Sequence, residues 1–102
     1  MTKVVVSERA LRDFQRIADF VEEGSAGAGA ARIAAIVAAL DVLSTSPQIG
    51  RPAPEGHCEL IIGRGARGYI ALYAYLPRED VVVIAAVKGQ REGGYAAPHE
   101  EP

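Results

Sequence analysis

Residues 69–87 read YIALYAYLPREDVVVIAAV, and the fold turns on this stretch. Its two flanks are rich in β-branched and aromatic residues and have the length of ordinary strands. Pro77, Arg78, Glu79 and Asp80 between them form a polar link of turn length, so the stretch predicts an antiparallel hairpin. Successive strand residues alternate between faces, which puts Tyr69, Tyr73 and Tyr75 on one side and Ile70, Leu72, Ala74 and Leu76 on the other. The tyrosine face serves either as core packing or as an aromatic platform for bases or a partner. Val81 to Val87 is apolar at every position, which predicts a central strand covered on both faces.

Upstream, Cys58 to Ile62 is a third strand-like run, joined to the hairpin through Gly63 to Gly68, so a three-stranded antiparallel meander is the economical arrangement. Gln48 to Gly56 contains Gly50, Pro52, Pro54 and Gly56 and reads as an extended connector without an element of its own. Before it the period changes to that of helices. Leu11, Phe14, Ile17, Ala18 and Val21 recur at spacings of three and four, with Arg12, Asp13, Arg16 and Asp19 off the stripe. Ile33, Ile36, Val37, Leu40 and Leu43 repeat the pattern up to Ser44-Thr45-Ser46-Pro47. The glycines Gly24, Gly27 and Gly29 mark a hinge, so the two helices should pair as an antiparallel hairpin. Lys3 to Val6 is a short β-branched run, and Ser7 with Glu8 behind it is an N-cap signal. The order strand, helix, helix, strand, strand, strand predicts an α+β protein, βααβββ, with a helical hairpin packed on a small antiparallel-rich sheet.

The 102 residues suit one domain, expected over residues 1–95, with residues 96–102 as a disordered tail. Hydrophobic residues make up 49% of the chain, generous for so small an interior, and the surplus predicts a protein partner on an apolar patch. A net charge of −2 gives no long-range attraction for phosphate backbones, so any nucleic-acid contact must use a local basic patch. A single cysteine, Cys58, excludes an internal disulfide, and no signal-peptide or membrane-length apolar run is present, so a cytoplasmic protein is expected.

Two motif matches fail on context. Gly63-Arg64-Gly65-Ala66-Arg67-Gly68 has the spacing of a dinucleotide fingerprint, but a strand follows it where a phosphate-holding helix is required. His57, Cys58 and Glu59 are consecutive on a strand, so their side chains point to opposite faces and no second cluster completes a metal site. No cofactor and no metal are expected.

Three segments, in order and at the right spacing, resemble the RelE/ParE superfamily of type II toxins, and in particular ParE-like plasmid-stabilisation proteins. Ser46-Pro47-Gln48-Ile49-Gly50-Arg51-Pro52 is similar to the family's S-P-x-x-G-R-P connector. Gly68-Tyr69-Ile70-Ala71-Leu72-Tyr73 is similar to its G-Y-x-A-L-Y strand. Val87-Lys88-Gly89-Gln90-Arg91-Glu92-Gly93-Gly94-Tyr95 resembles its V-R-H-Q-R-E-A-G-Y ending. The resemblance implies a toxin neutralised by a cognate antitoxin in a hetero-oligomer, acting by binding DNA gyrase without catalysis. Its rival within the superfamily is a RelE-like, ribosome-dependent endoribonuclease that cleaves messenger RNA. A third reading is a degenerate toxin that keeps only antitoxin binding.

Candidate toxic-activity residues are Lys88, Arg91 and Tyr95 at the end of the last strand, with Arg67 and Arg64 in the Gly63–Gly68 link. The arginine that the messenger-RNA-cleaving branch carries near that end aligns with Gln90, one residue before Arg91. One step along a strand reverses the face, so Arg91 does not stand in for it. RNA cleavage needs a proton carrier as well as cations. His57 precedes a strand, His99 lies in the tail, and the family's histidine is replaced by Gly89. The antitoxin is expected in an apolar groove of the hairpin or on a sheet edge, with Phe14, Ile17, Val21, Ile36, Leu40 and Tyr73 as candidate contacts.

Overall fold

The computed structural model describes residues 1–65 and 68–90. The elements in chain order are β1 (Lys3–Val6), α1 (Glu8–Gly24), α2 (Ala28–Leu40), β2 (Arg51–Pro52), β3 (Cys58–Ile62), β4 (Tyr69–Leu76) and β5 (Val81–Gly89). Short 3-10 turns lie at Asp41–Ser44 and Pro54–Gly56. The strands form one sheet in the order β1-β5-β4-β3-β2, with β1 parallel to β5 and every other pair antiparallel. The architecture is α+β, with the α1–α2 hairpin packed on one face of this sheet. The stretch 48–56 is not featureless: Arg51 and Pro52 pair with Glu59 and Cys58, so β2 closes the sheet edge as a two-residue strand.

The strand-to-helix switch at the N-terminus follows from Ser7. Its hydroxyl oxygen accepts from the Ala10 N–H at 3.1 Å, capping α1, while the same hydroxyl donates to the Ala85 carbonyl at 3.1 Å. Its own N–H donates to the Ile84 carbonyl at 3.0 Å. The start of α1 is thereby fastened to β5. At the other end of α1, Glu22 reaches across the link and accepts from the Gly27 and Gly29 N–H groups at 2.6 and 2.9 Å. Those donors are orphans of the first turn of α2, whose own N-cap, Gly27, has no side chain to offer. The two backbone hydrogen bonds hold the Glu22 carboxyl below its usual pKa. Gly29 therefore lies within α2, and the hinge is shorter than the glycine pattern suggests.

The core joins Ala10, Phe14 and Ile17 of α1, Ile36 and Leu40 of α2, and Leu43 to Tyr69, Ala71 and Tyr73 of β4 and Val82, Ile84 and Val87 of β5. Fully burying a Phe or Ile of this kind stabilises by about 1.5–3 kcal/mol, so these few side chains hold the hairpin to the sheet. The tyrosine face of β4 is thus the helix-facing one. Two members of the expected stripes lie outside: Leu11 is 54% and Val37 49% exposed. Asp13, expected in solvent, is 4% exposed. In β5 the buried positions Val82 and Ile84 alternate with half-buried Val81, Val83 and Ala85, so the helices cover one face of that strand and not both.

A bulge interrupts the β4–β5 ladder. Leu72 faces Ala86 and Tyr73 faces Ile84, leaving Ala85 without an opposite residue. The extra residue shifts the alternation, so Ile84 and Val87, three apart, both reach the core while Lys88 emerges on the face away from the helices, opposite Ile70.

Candidate functional site: the exit of the last strand

The end of β5 lies beside the link between β3 and β4. Tyr69 faces Gly89 and Ile70 faces Lys88 across the ladder. Just beyond, the Gln90 N–H donates to the Gly68 carbonyl at 2.9 Å, and its side-chain amide is within 3.5 Å of the Gly63 carbonyl. The amide lies over Gly68 so closely that a Cβ there would run into Gln90 Nε2. A side chain at 68 would have to displace the Gln90 amide, which in turn fastens the link to the strand.

On the helix side, α1 supplies what a neighbouring strand would. β1 covers β5 only as far as Ile84, and beyond it the edge of β5 meets helix side chains. The Asp13 carboxylate accepts the Val87 N–H at 2.9 Å. Arg16 lies 3.5 Å from the other Asp13 oxygen and makes a long 3.4 Å contact with the Val87 carbonyl. Burial of a carboxylate is tolerated because an N–H and a guanidinium meet its two oxygens. On α2, Arg32 donates to the Tyr69 hydroxyl at 2.7 Å, with its guanidinium carbon 5.9 Å from the ring centre.

Of the residues expected at the toxic end, Lys88 and Arg64 are brought to this end of the sheet. Lys88 is half-buried on the open face and Arg64 is exposed in the link. Arg67, Arg91 and Tyr95 lie outside the described residues, as does the tail 96–102. Arg78 sits in the Leu76–Val81 turn, at the opposite end of the eight-residue β4, about 20 Å away at the usual strand rise. His57 precedes β3, and the link follows that strand, so His57 is removed from the β5 exit by the strand's length, roughly 15 Å. Asp13, Arg16 and Arg32 were not singled out by sequence reasoning. A signal for Asp13 was present, since Ala10, Asp13, Ile17 and Val21 follow one another at helical spacing.

The expected antitoxin contacts need correction. Phe14, Ile17, Ile36, Leu40 and Tyr73 are each less than a tenth exposed, and Val21 packs partly buried against them. The stripe that looked like a groove for a partner is consumed in attaching the hairpin to its own sheet. The large apolar side chains on the hairpin and connector surface are instead Leu11, Phe20, Val37, Val42 and Ile49, with Phe20 76% exposed. Among the described residues no helix is long and apolar enough to cross a membrane.

The family model for the ParE toxin of the type II toxin–antitoxin system parDE matches residues 4–93. Among curated proteins, none matches the sequence significantly. Solved structures share the fold at low identity. A chain of the chromosomal ParDE toxin–antitoxin system from P. aeruginosa is 18% identical with a TM-score of 0.71, over 87% of this chain and 96% of that one. A chain of the RelBE2 toxin–antitoxin complex from Mycobacterium tuberculosis is 22% identical with a TM-score of 0.61, over 89% and 93%. A chain of the intact E. coli RelBE complex is 22% identical with a TM-score of 0.58, over 90% and 99%.

Proposed function

The chain belongs to the ParE toxin family of type II toxin–antitoxin systems, and on that footing we propose that it arrests growth by binding DNA gyrase in the cytoplasm, without chemistry of its own. The observation that carries this reading over RNA cleavage is Gln90. It stands where the messenger-RNA-cleaving branch carries an arginine, it is uncharged, and its amide is engaged with the Gly63–Gly68 link. A nuclease also needs a proton carrier near its cations, and His57 is a strand's length from Lys88. Lys88 and Arg64, with Arg67, Arg91 and Tyr95, are the candidate target-binding residues. A supercoiling assay with purified gyrase, run beside a translation reaction whose message is mapped, tests this. Inhibited supercoiling with intact message is expected, and cut message with normal supercoiling would overturn it.

Neutralisation falls to a cognate antitoxin. The two sheet edges differ in what they offer it. β2 is two residues long and contains Pro52, which has no N–H to donate, whereas β1 carries three valines in a row and has no strand on its outer side among the described residues. An extended antitoxin segment adding to β1, with an apolar part over the exposed hairpin side chains, is the arrangement that fits.

A further inference from the structure

Among the described residues Asp13 is the buried charged side chain, and its position makes no sense as a surface helix residue. It stands at the place in the sheet where β5 has outrun β1. The bulge at Ala85 turns the Val87 N–H and carbonyl to the side that β1 no longer covers. Unmet, a backbone N–H there would favour fraying of the strand end. Asp13 meets it at 2.9 Å, with Arg16 against both the carboxylate and the Val87 carbonyl. The next residue is Lys88, whose face is fixed by the conformation of Val87.

Resting on the reading of the β5 exit as the toxic end, we infer that Asp13, supported by Arg16, is a positioning residue. Helix α1 takes the place of a missing strand and sets the direction in which Lys88 leaves the sheet. The contact that does this is charge-assisted and local to Val87, so its loss loosens residues 87–90 before it unfolds the domain. The carboxylate is not required as a charge. An amide oxygen at the same place still accepts the Val87 N–H, so Asp13→Asn conserves the part of the contact that orients the strand, and Asp13→Ala removes it.

The test compares Asp13→Ala, Asp13→Asn, Arg16→Met and Lys88→Ala with the unaltered chain in a bacterial host whose growth the unaltered chain arrests. Amide hydrogen exchange on the purified full chains accompanies the growth measurement. Asp13→Ala is expected to raise colony survival by at least about tenfold and to speed exchange over 87–90 while the amides of β4 stay protected. Asp13→Asn should restore killing to near the unaltered level, a rescue that a general loss of packing would not show. Should Asp13→Ala fail to fold, Arg16→Met, altering a side chain 31% exposed, reads the same segment, and faster exchange over 87–90 with raised survival supports the inference. If Lys88→Ala abolishes killing while Asp13→Ala and Arg16→Met kill normally, the positioning role is overturned and the toxic end stands. If Lys88→Ala itself kills normally, the reading of the toxic end falls, and the inference with it.

Discussion

Gly50 illustrates how a motif residue is fixed by one side chain elsewhere. Its N–H donates to the Tyr73 hydroxyl at 2.9 Å, and a Cβ at this position would lie 2.7 Å from the Tyr73 ring and hydroxyl and 2.8 Å from the Glu59 carbonyl. Neither neighbour can give way, since Tyr73 is fully buried and the carbonyl belongs to β3. Gly50→Ala should therefore lower the thermal unfolding temperature by the equivalent of about 1–3 kcal/mol, the usual result of overpacking. Tyr73→Phe should cost about 1–3 kcal/mol by leaving the Gly50 N–H without its partner. A thermal or denaturant unfolding series reads both. Glu22 makes a prediction about acid. Its folded pKa lies below the ordinary 4.5, so its contribution to stability is complete above that value and fades as pH falls through the folded one. Glu22→Gln should flatten this part of the acid dependence. An acid titration of unfolding temperature with unchanged slope in the variant would show that the cap contributes nothing.

At the scale of elements, much of the fold is legible in local pattern and the remainder is not. Helix stripes and short β-branched runs announce themselves because period and burial coincide over several residues, as in Phe14, Ile17 and Val21. The pairing of Lys3–Val6 beside Val81–Ile84 has no local trace, since 78 residues separate the partners. β2 is too short to have a pattern, and it exists because Arg51 pairs with Glu59 through backbone register and a 3.0 Å ion pair. The site was half legible. The position of Lys88 at the strand end could be read from the sequence, whereas the spacing of Asp13 with Ala10, Ile17 and Val21 marks its face but not its partner, which depends on the strand that lies beneath it. The unblunted edge makes β1 the element to test for antitoxin pairing. Lys3 and Ser7 turn their N–H groups to β5, so by alternation the Val4 N–H points outward, where a proline removes a donor that the toxin's own ladder does not use. Val4→Pro should leave the toxin folded and toxic but reduce its capture by the cognate antitoxin, measured by titration calorimetry. Unchanged affinity would exclude strand addition at β1.

For the molecule as a whole, the N-terminal strand and the last strand close the sheet together. Thr2 reinforces the closure: its hydroxyl donates to Asp80 at 2.6 Å, the same carboxylate oxygen that accepts from Tyr75, and its N–H donates to the Ser44 carbonyl. The two ends of the described chain are thus knit into one unit around a shared core. Removing residues 1–6 should uncover the long valine-rich edge of β5 and shift the chain toward aggregates in size-exclusion chromatography. A monodisperse truncated chain would show that α1 alone protects that edge. The bulge at Ala85 has a consequence of a different kind. It acts as a phase shift in an alternating signal: were Ala85 drawn into a regular ladder, every later side chain would change sides, sending Lys88 beneath the helices and Val87 into the open, whereas deleting Ala85 would leave both on their present faces. The faces of Val87 and Lys88 are thus encoded in one irregular step of the ladder, so a change that straightens the step without shortening the strand should disturb that end more than a conservative change of letter.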